Sequence, residues 1–429
     1  MLERLYSLNQ DERRSACWLF FYNFCNAGAY VLVRTVADSA FLSHIGTEQL
    51  PALYMLSAGV VALSSLAYGH WMPRIGFRKL VIGTLLALSL MSVVTPIAMN
   101  AFTDSLTVYA LVYLLSQVRG SLGTIFFTTL LSEQFANNRP ERIVGFLGAG
   151  ANVAGVLLGF ATGVLAHKMD VHQLMYAVAA IDLLTIIPML QLKPRRAITF
   201  SHADSTEKSR FRDALHTPYV LSIASLVVIT VLVSTFVEYQ WKVTAASEYS
   251  RNEESLAAYF GYFYGAIYLV TGLLQLFVTN RVLQSGGILV GLLLFPVSLL
   301  VSTGIAWVVA FKQAALWPLT ITKACDALKR SFNEPSIQIA YSPMQHRLRR
   351  QAITFVAGIA KPFSEAIAAA ALVILASTAD VRDLSGVVLA LVVIWLVVSV
   401  RVWRQFANRR HRAERFRTDL DGGVDPNKS

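Results

Sequence analysis

The sequence predicts an all-α polytopic membrane protein with about twelve transmembrane helices arranged as two six-helix halves. Three observations lead to that class. The 429-residue chain is 55% apolar and only 15% charged, with a mean hydropathy of +0.53, whereas soluble domains carry about 25% charged residues. Twelve apolar segments are long enough to cross a hydrocarbon core that needs roughly 20 residues. The longest polar interruption, KPRRAITFSHADSTEKSRFRDALHT, divides those segments six and six.

In chain order the segments are 17–41, 50–71, 80–99, 106–132, 143–167 and 174–192, then 218–242, 257–279, 288–311, 314–329, 352–376 and 384–403. The domains follow as an N-terminal half over 1–192, a cytoplasmic linker over 193–217, a C-terminal half over 218–403 and a basic tail over 404–429. The opening MLERLYSLNQDERRSA is too long and too acidic for the basic leader of a signal peptide, and no small-residue cleavage site follows it. The first segment is therefore expected to be retained.

The formal charge of +11 invites a nucleic-acid reading, but basic residues of membrane proteins gather in cytoplasmic loops for topological reasons. With the N-terminus inside, 28 of the 37 Lys and Arg lie in inside segments or at the inner ends of spans, and four in outside loops. That asymmetry puts both termini in the cytoplasm and fits a bacterial inner membrane. The tail RQFANRRHRAERFR then reads as a topological anchor or a contact with anionic lipids, not as a nucleic-acid arm. Membrane lipids and one small-molecule substrate are the partners expected, on a chain read as a monomer.

Several features point to packing and not to chemistry. In GFLGAGANVAGVLLGFATG the glycine-rich run lacks the Gly-Lys-Ser/Thr ending that grips phosphate and magnesium. Gly155, Gly159 and Gly163 recur every four residues, the pattern of a close helix-packing face. Without a nucleotide-hydrolysis motif, any transport is expected to be secondary. Cys17, Cys25 and Cys325 lie in apolar segments without paired spacing, so neither disulfides nor a metal centre is expected. The histidines fall mostly in loops and segment ends, and none is assigned to chemistry. No cofactor is called for, and no catalytic constellation points to an enzyme.

The loop GHWMPRIGFRK after the second segment resembles the short cytoplasmic signature of the major facilitator superfamily. Gly69, Arg74, Gly76 and Arg78 match its spacing, while Pro73 stands where an acidic residue is usual. The resemblance implies that segments one, four, seven, ten and eleven line a central cavity. Nine intramembrane charges fall on just those segments: Arg34 and Asp38, Arg119, Glu238 and Lys242, Lys323 and Asp326, and Lys361 and Glu365. A charge in hydrocarbon costs several kcal/mol unless it is paired or faces water. In three cases opposite charges stand four residues apart, one helical turn above each other. Asp182, midway along segment six, has no partner in that scheme beyond a polar contact with a neighbouring helix.

At nearly full length the chain also resembles the ATP/ADP translocases of plastids and intracellular bacteria and their bacterial relatives. The resemblance rests on VRTVADSAFLSHIGTEQLPALY, GAGANVAGVLLG, VEYQWKVTAASEYSRNEESLAAYFGYFYG and RSFNEPSIQIAYSPMQHRLRRQAITFVAGIAKPFSEA. It implies nucleotide exchange, yet Ala37 stands where those proteins carry a lysine, Gln117 where they carry a glutamate and Glu365 where they carry a lysine. Lys329 matches a further family lysine. These departures mark a divergent member.

The sequence thus predicts a secondary transporter working by alternating access, its cargo an organic anion, with a nucleotide or related phosphorylated metabolite as one class. Substrate contacts are expected from Arg34, Arg119, Gln117, Lys323 and Lys361 near the midplane between the two halves. Asp38, Glu238, Lys242, Asp326 and Glu365 are expected to balance charge or carry a coupling ion. The alternative is a proton-coupled exporter of a drug or siderophore-like metabolite, with Glu238 or Asp38 carrying the proton.

Overall fold

In hydrocarbon a chain must satisfy its backbone internally, and a sequence built of long apolar runs with few turn residues does so as helices. The computed structural model describes residues 10–103, 105–135, 141–192, 217–309, 316–344, 346–375 and 380–421, and every regular element among them is helical. They fall into two compact units: one holds described residues of Met1–Phe200 and Lys242–Leu276, the other those of Ser201–Trp241 and Phe277–Ser429.

The first unit contains α1 (Gln10–His44), α2 (Leu50–Ile75), α3 (Phe77–Ala101), α4 (Leu106–Gln134), α5 (Glu141–Leu165), α6 (Leu174–Gln191), the end of α7 (Pro218–Glu248) and α8 (Glu253–Leu273). Local signals set these limits. Gly76, at φ +85, breaks α2 from α3 in a conformation that side chains disfavour. Asn252 caps α8 by accepting from the Ser255 backbone N–H at 2.8 Å, and Glu253 and Glu254 lie in the first turn, where the helix dipole favours acids. Inside the helices hydroxyls bond back one turn, as Thr35 does to the Val31 carbonyl at 2.9 Å, so that they cost little in an apolar setting.

The packing of this unit centres on α1, which touches α4, α5, α6 and α8. Leu19 and Tyr22 of α1 are buried with Val81 of α3, Phe126 and Leu130 of α4 and Leu147 of α5. The four-residue glycine repeat meets a matching pair on α8. A Cβ on Gly159 would stand 2.5 Å from the backbone nitrogen of Gly265, and one on Gly261 would stand 2.6 Å from that of Gly163. The two backbones therefore approach as closely as small residues allow.

The second unit holds the start of α7 with α9 (Thr279–Val309), α10 (Leu316–Ala324), α11 (Glu334–Ala340), α12 (His346–Phe355), α13 (Lys361–Leu375) and α14 (Val381–Asp421). Phe295 of α9 and Trp395 of α14 meet edge to face, with centroids 5.2 Å apart. Widened turns with i→i+5 bonding interrupt the helices at Lys329–Asn333 and at Val356–Ala360. Such widening is uncommon and concentrates at functional sites.

Ten helical stretches among the described residues are long and apolar enough to cross a membrane, and large apolar side chains such as Leu63, Leu66, Leu90 and Ile374 cover their outer surfaces. One stretch, Glu253–Val309, is 57 residues long, about 85 Å at 1.5 Å per residue and far beyond one crossing. Gly287, at φ +65, breaks it and separates the expected segments eight and nine. The expected tenth segment is divided: α10 has 9 residues and passes into a short turn and the first widened turn. The expected linker, 193–217, lies outside the described residues except for Thr217. The tail begins as a continuation of α14, which is 41 residues long.

Candidate functional site

The intramembrane charges gather into three groups, each inside a single unit. In the first unit Asp38 is the centre. Lys242 donates to its Oδ1 at 2.8 Å and the Tyr264 hydroxyl to its Oδ2 at 3.1 Å, and both charged side chains are fully buried. Arg34, one turn earlier on α1, has its Nε 3.7 Å from Oδ2. Aromatic faces wall the cations. The Lys242 ammonium lies 5.3 Å from the Tyr113 ring and 5.5 Å from that of Tyr54, and the Arg34 guanidinium lies 5.0 Å from the Tyr264 ring. Ring faces attract cations most when the site is desolvated. Four helices, α1, α2, α4 and α8, together with the end of α7, thus supply one aromatic-lined charge site. Arg34 is its most accessible charge, at 14% side-chain exposure.

Sequence spacing pairs Glu238 with Lys242 on one face of α7, yet the two residues part company. Lys242 turns to Asp38, while Glu238 accepts from Lys323 at 3.3 Å in the other unit. A terminal lysine that snorkels to the interface is the bland reading of Lys242. Its full burial rules that out.

The second group resolves Asp182. Arg119 of α4 holds it through both guanidinium nitrogens, one contact being Nη1 to Oδ2 at 3.1 Å, and both side chains are buried. A bidentate Arg–carboxylate pair is among the strongest charge-assisted contacts available. The guanidinium expected to meet substrate is thus engaged between α4 and α6. Gln117, two residues earlier, is half-buried and makes no hydrogen bond among the described residues.

The third group lies in the second unit. The Lys323 ammonium sits between two carboxylates, Asp326 at 2.6 Å and Glu238 at 3.3 Å. Lys329, at the start of the widened turn, donates to Ser234 at 3.1 Å. Lys361 opens α13 directly after the second widened turn and is exposed, and Glu365 is half-buried one turn on. These two form no ion pair or hydrogen bond among the described residues, although Glu365 feels the charges of Lys361, Lys329 and Glu238. No group of three His, Cys, Asp or Glu side chains fit to hold a metal occurs among the described residues.

Sequence reasoning missed one further constellation. His44 at the end of α1, His172 in the turn before α6 and Glu253 at the start of α8 converge, with His172 Nε2 3.1 Å from Glu253 Oε1 and His44 Nδ1 3.5 Å from Oε2. Each residue looks like an ordinary loop or cap residue by itself. Only the Asn-Glu-Glu cap sequence hints that something polar gathers at that helix start.

A chain of membrane-spanning helices with paired charges buried among them has the make-up of a polytopic transporter. Residues 19–333 match the Major Facilitator Superfamily, and the chain belongs to that family. No curated protein matches the sequence. Among solved structures the chain is similar to nucleoside transporter NupG, at 11% identity over 93% of this chain and 99% of that one with a TM-score of 0.64. It is also similar to a bacterial homologue of iron transporter ferroportin in an inward-facing state, at 17% identity over 91% and 98% with a TM-score of 0.63. The xylose transporter XylE from E. coli matches at 10% identity over 91% and 96%, with a TM-score of 0.62. At these identities the likeness is one of fold.

Proposed function

We propose that this major facilitator protein is a secondary transporter that moves an organic anion by alternating access, a nucleotide or related phosphorylated metabolite being the first class to try. The observation that carries the reading is the setting of Arg34. It is the accessible member of a buried site, it stands against an aromatic face, and its internal counter-ion Asp38 is shared with Lys242 and Tyr264. An arriving carboxylate or phosphate competes with Asp38 for the guanidinium fork, a contact that strengthens in low dielectric. Asp38 balances the cations when the site is empty. Arg119 enters this account as a positioning residue that ties α4 to α6 through Asp182. Lys323, Lys361, Glu238, Asp326 and Glu365 form the charge network of the second unit, and Gln117 lies beside Arg119. The six-helix halves over 1–192 and 218–403, read from the apolar segments and the linker between them, the cytoplasmic termini and bacterial inner membrane, read from the loop charges, and a monomeric state complete the reading.

Uptake of labelled ATP into intact bacterial cells expressing the chain, with and without excess unlabelled ADP, tests it beside Arg34→Ala. Saturable uptake competed by ADP and lost in the variant supports nucleotide exchange. Absence of uptake by folded, membrane-inserted protein excludes that cargo and moves the screen to other organic anions. Glu365 favours a second reading, a proton-coupled exporter of a drug or siderophore-like metabolite, because it is a half-buried intramembrane carboxylate that forms no ion pair among the described residues. That reading requires transport to collapse when the proton gradient is dissipated, whereas pure exchange does not.

A further inference from the structure

By sequence, residues 242–276 belong to the C-terminal half, yet they pack in one unit with the N-terminal six helices. If the two sequence halves move against each other during transport, the contacts made by this stretch are the ones that must break. Two of them lie within the membrane: the glycine crossing of α5 on α8, and the Lys242–Asp38 pair. The third lies at the end of the helices remote from the basic loops, where the turn between α7 and α8 meets the end of α1 and the turn between α5 and α6.

That third contact is built on Glu253. The carboxylate stands between His172 Nε2 at 3.1 Å and His44 Nδ1 at 3.5 Å, the latter also 3.2 Å from the Ala40 carbonyl oxygen, and its side chain is 16% exposed. The other ring nitrogen of His172, Nδ1, stands 2.9 Å from the side-chain oxygen assigned to Asn100 of α3 and 3.8 Å from Asp170 Oδ1. With oxygens on both sides, an imidazolium satisfies both as a donor, whereas a neutral ring leaves one of them facing a lone pair. His44 stacks on Tyr109 of α4 at 4.5 Å between centroids and shares Nδ1 with Ser43 Oγ at 2.9 Å. The two imidazoles are 6.2 Å apart.

The surrounding groups do not duplicate this chemistry. Asp170, Arg251 and Glu254 line the adjoining cavity of about 410 Å³ with Ser43 and His44. The Arg251 guanidinium rests against Gly46, where a Cβ would lie 2.9 Å away and where φ is +96. Tyr249 in the same turn has its phenol pushed above the ordinary value, first by burial and then by the Glu248 carboxylate, so it stays neutral. Ser250 and Arg251 both hold positive φ, at 49 and 59, a conformation costing about 1–2 kcal/mol per non-glycine residue. The turn is held against its preference by the contacts it makes, and Glu253 is the first residue beyond it.

We propose that His44, His172 and Glu253 form an acid-strengthened latch that fastens the start of α8 to the N-terminal helices at the outer end, closing as the external medium acidifies and loosening as it becomes alkaline. Protonated imidazoles pair with the carboxylate and draw α1, α6 and α8 together. Neutral ones leave Glu253 with weaker, uncharged contacts, and the strained turn is free to relax. The basic loops set which end is outer, and the latch works whatever the cargo.

Hydrogen–deuterium exchange on purified full-length protein in lipid nanodiscs tests it without any substrate. After correction for the intrinsic pH dependence of exchange, peptides covering 40–48, 166–173 and 249–256 are expected to lose protection by about tenfold between about pH 5.5 and about pH 8. Peptides from the α9–α14 contact serve as the internal reference. In Glu253→Gln, a change of one atom type, protection is expected to be low and level across that range. His172→Gln gives the same flat profile if the glutamine variant of Glu253 fails to accumulate. Unchanged protection in the natural protein, or a pH response that persists in Glu253→Gln, overturns the latch.

Discussion

The charge groups of the two units are built with opposite polarity. In the first, a carboxylate, Asp38, sits at the centre of two cations and a phenol and is closed off by aromatic rings. In the second, a cation, Lys323, sits between two carboxylates that are 21% and 22% exposed. The difference bears on what each can do. A sealed anion with cations around it loses most when a partner is removed, because the remaining charges have no water to turn to. On the proposed reading, it also holds cations ready for an anion that can replace it. A buried cation between partly exposed carboxylates leaves behind, when removed, groups that solvent can cushion.

The contrast makes ordered predictions. Asp38→Ala strands Lys242 without its carboxylate and is expected to cost about 3–5 kcal/mol, with Lys242→Met in the same chain recovering part of the loss. Thermal unfolding in detergent, followed by intrinsic tryptophan fluorescence, measures both; equal stabilities for the single variant and the natural protein contradict the sealed site. Arg119→Ala is expected to cost about 3–5 kcal/mol in the same assay, while Arg119→Met with Asp182→Leu comes back close to the starting stability. That recovery separates a positioning pair from a cargo contact, since the double variant is expected to retain cargo binding. Gly159→Ala pushes a methyl group against the α8 backbone and is expected to cost about 1–3 kcal/mol, read as a lower midpoint on the same melting curve. Lys323→Met is expected to cost least, about 1–2 kcal/mol. A loss larger than that of Asp38→Ala would reverse the ranking of the two groups.

Much of this was legible in the chain and some of it was not, for identifiable reasons. Hydropathy places the helices because a 20-residue apolar run has one solution in a bilayer. It does not foresee the widened turns at Lys329–Asn333 and Val356–Ala360 or the division of the tenth segment, which depend on what packs against them. The Arg34–Asp38 pair is visible as a four-residue spacing on one helix. Arg119 and Asp182 are 63 positions apart and carry no spacing signal. Glu238 and Lys242 carry a misleading one: four apart on α7, they serve different units. The glycine repeat of α5 announces a close contact, yet only the fold reveals that the partner is Gly261 and Gly265 of α8. His44, His172 and Glu253 come from three separate turns, so no local pattern joins them.

The central claim, that Arg34 and its surroundings receive an anion, is tested most directly by ligand stabilisation of the purified protein. Nucleotides and the corresponding uncharged nucleosides are compared at matched concentrations, on the natural protein and on Arg34→Ala. The account predicts stabilisation by the phosphate-bearing ligand, on the order of 2.7 kcal/mol at a hundredfold excess over its dissociation constant, together with no response to the nucleoside and none in the variant. If nucleotides give nothing, a panel of other organic anions against their neutral counterparts carries the same prediction. Equal stabilisation by charged and uncharged ligands, or stabilisation that survives in Arg34→Ala, would contradict it.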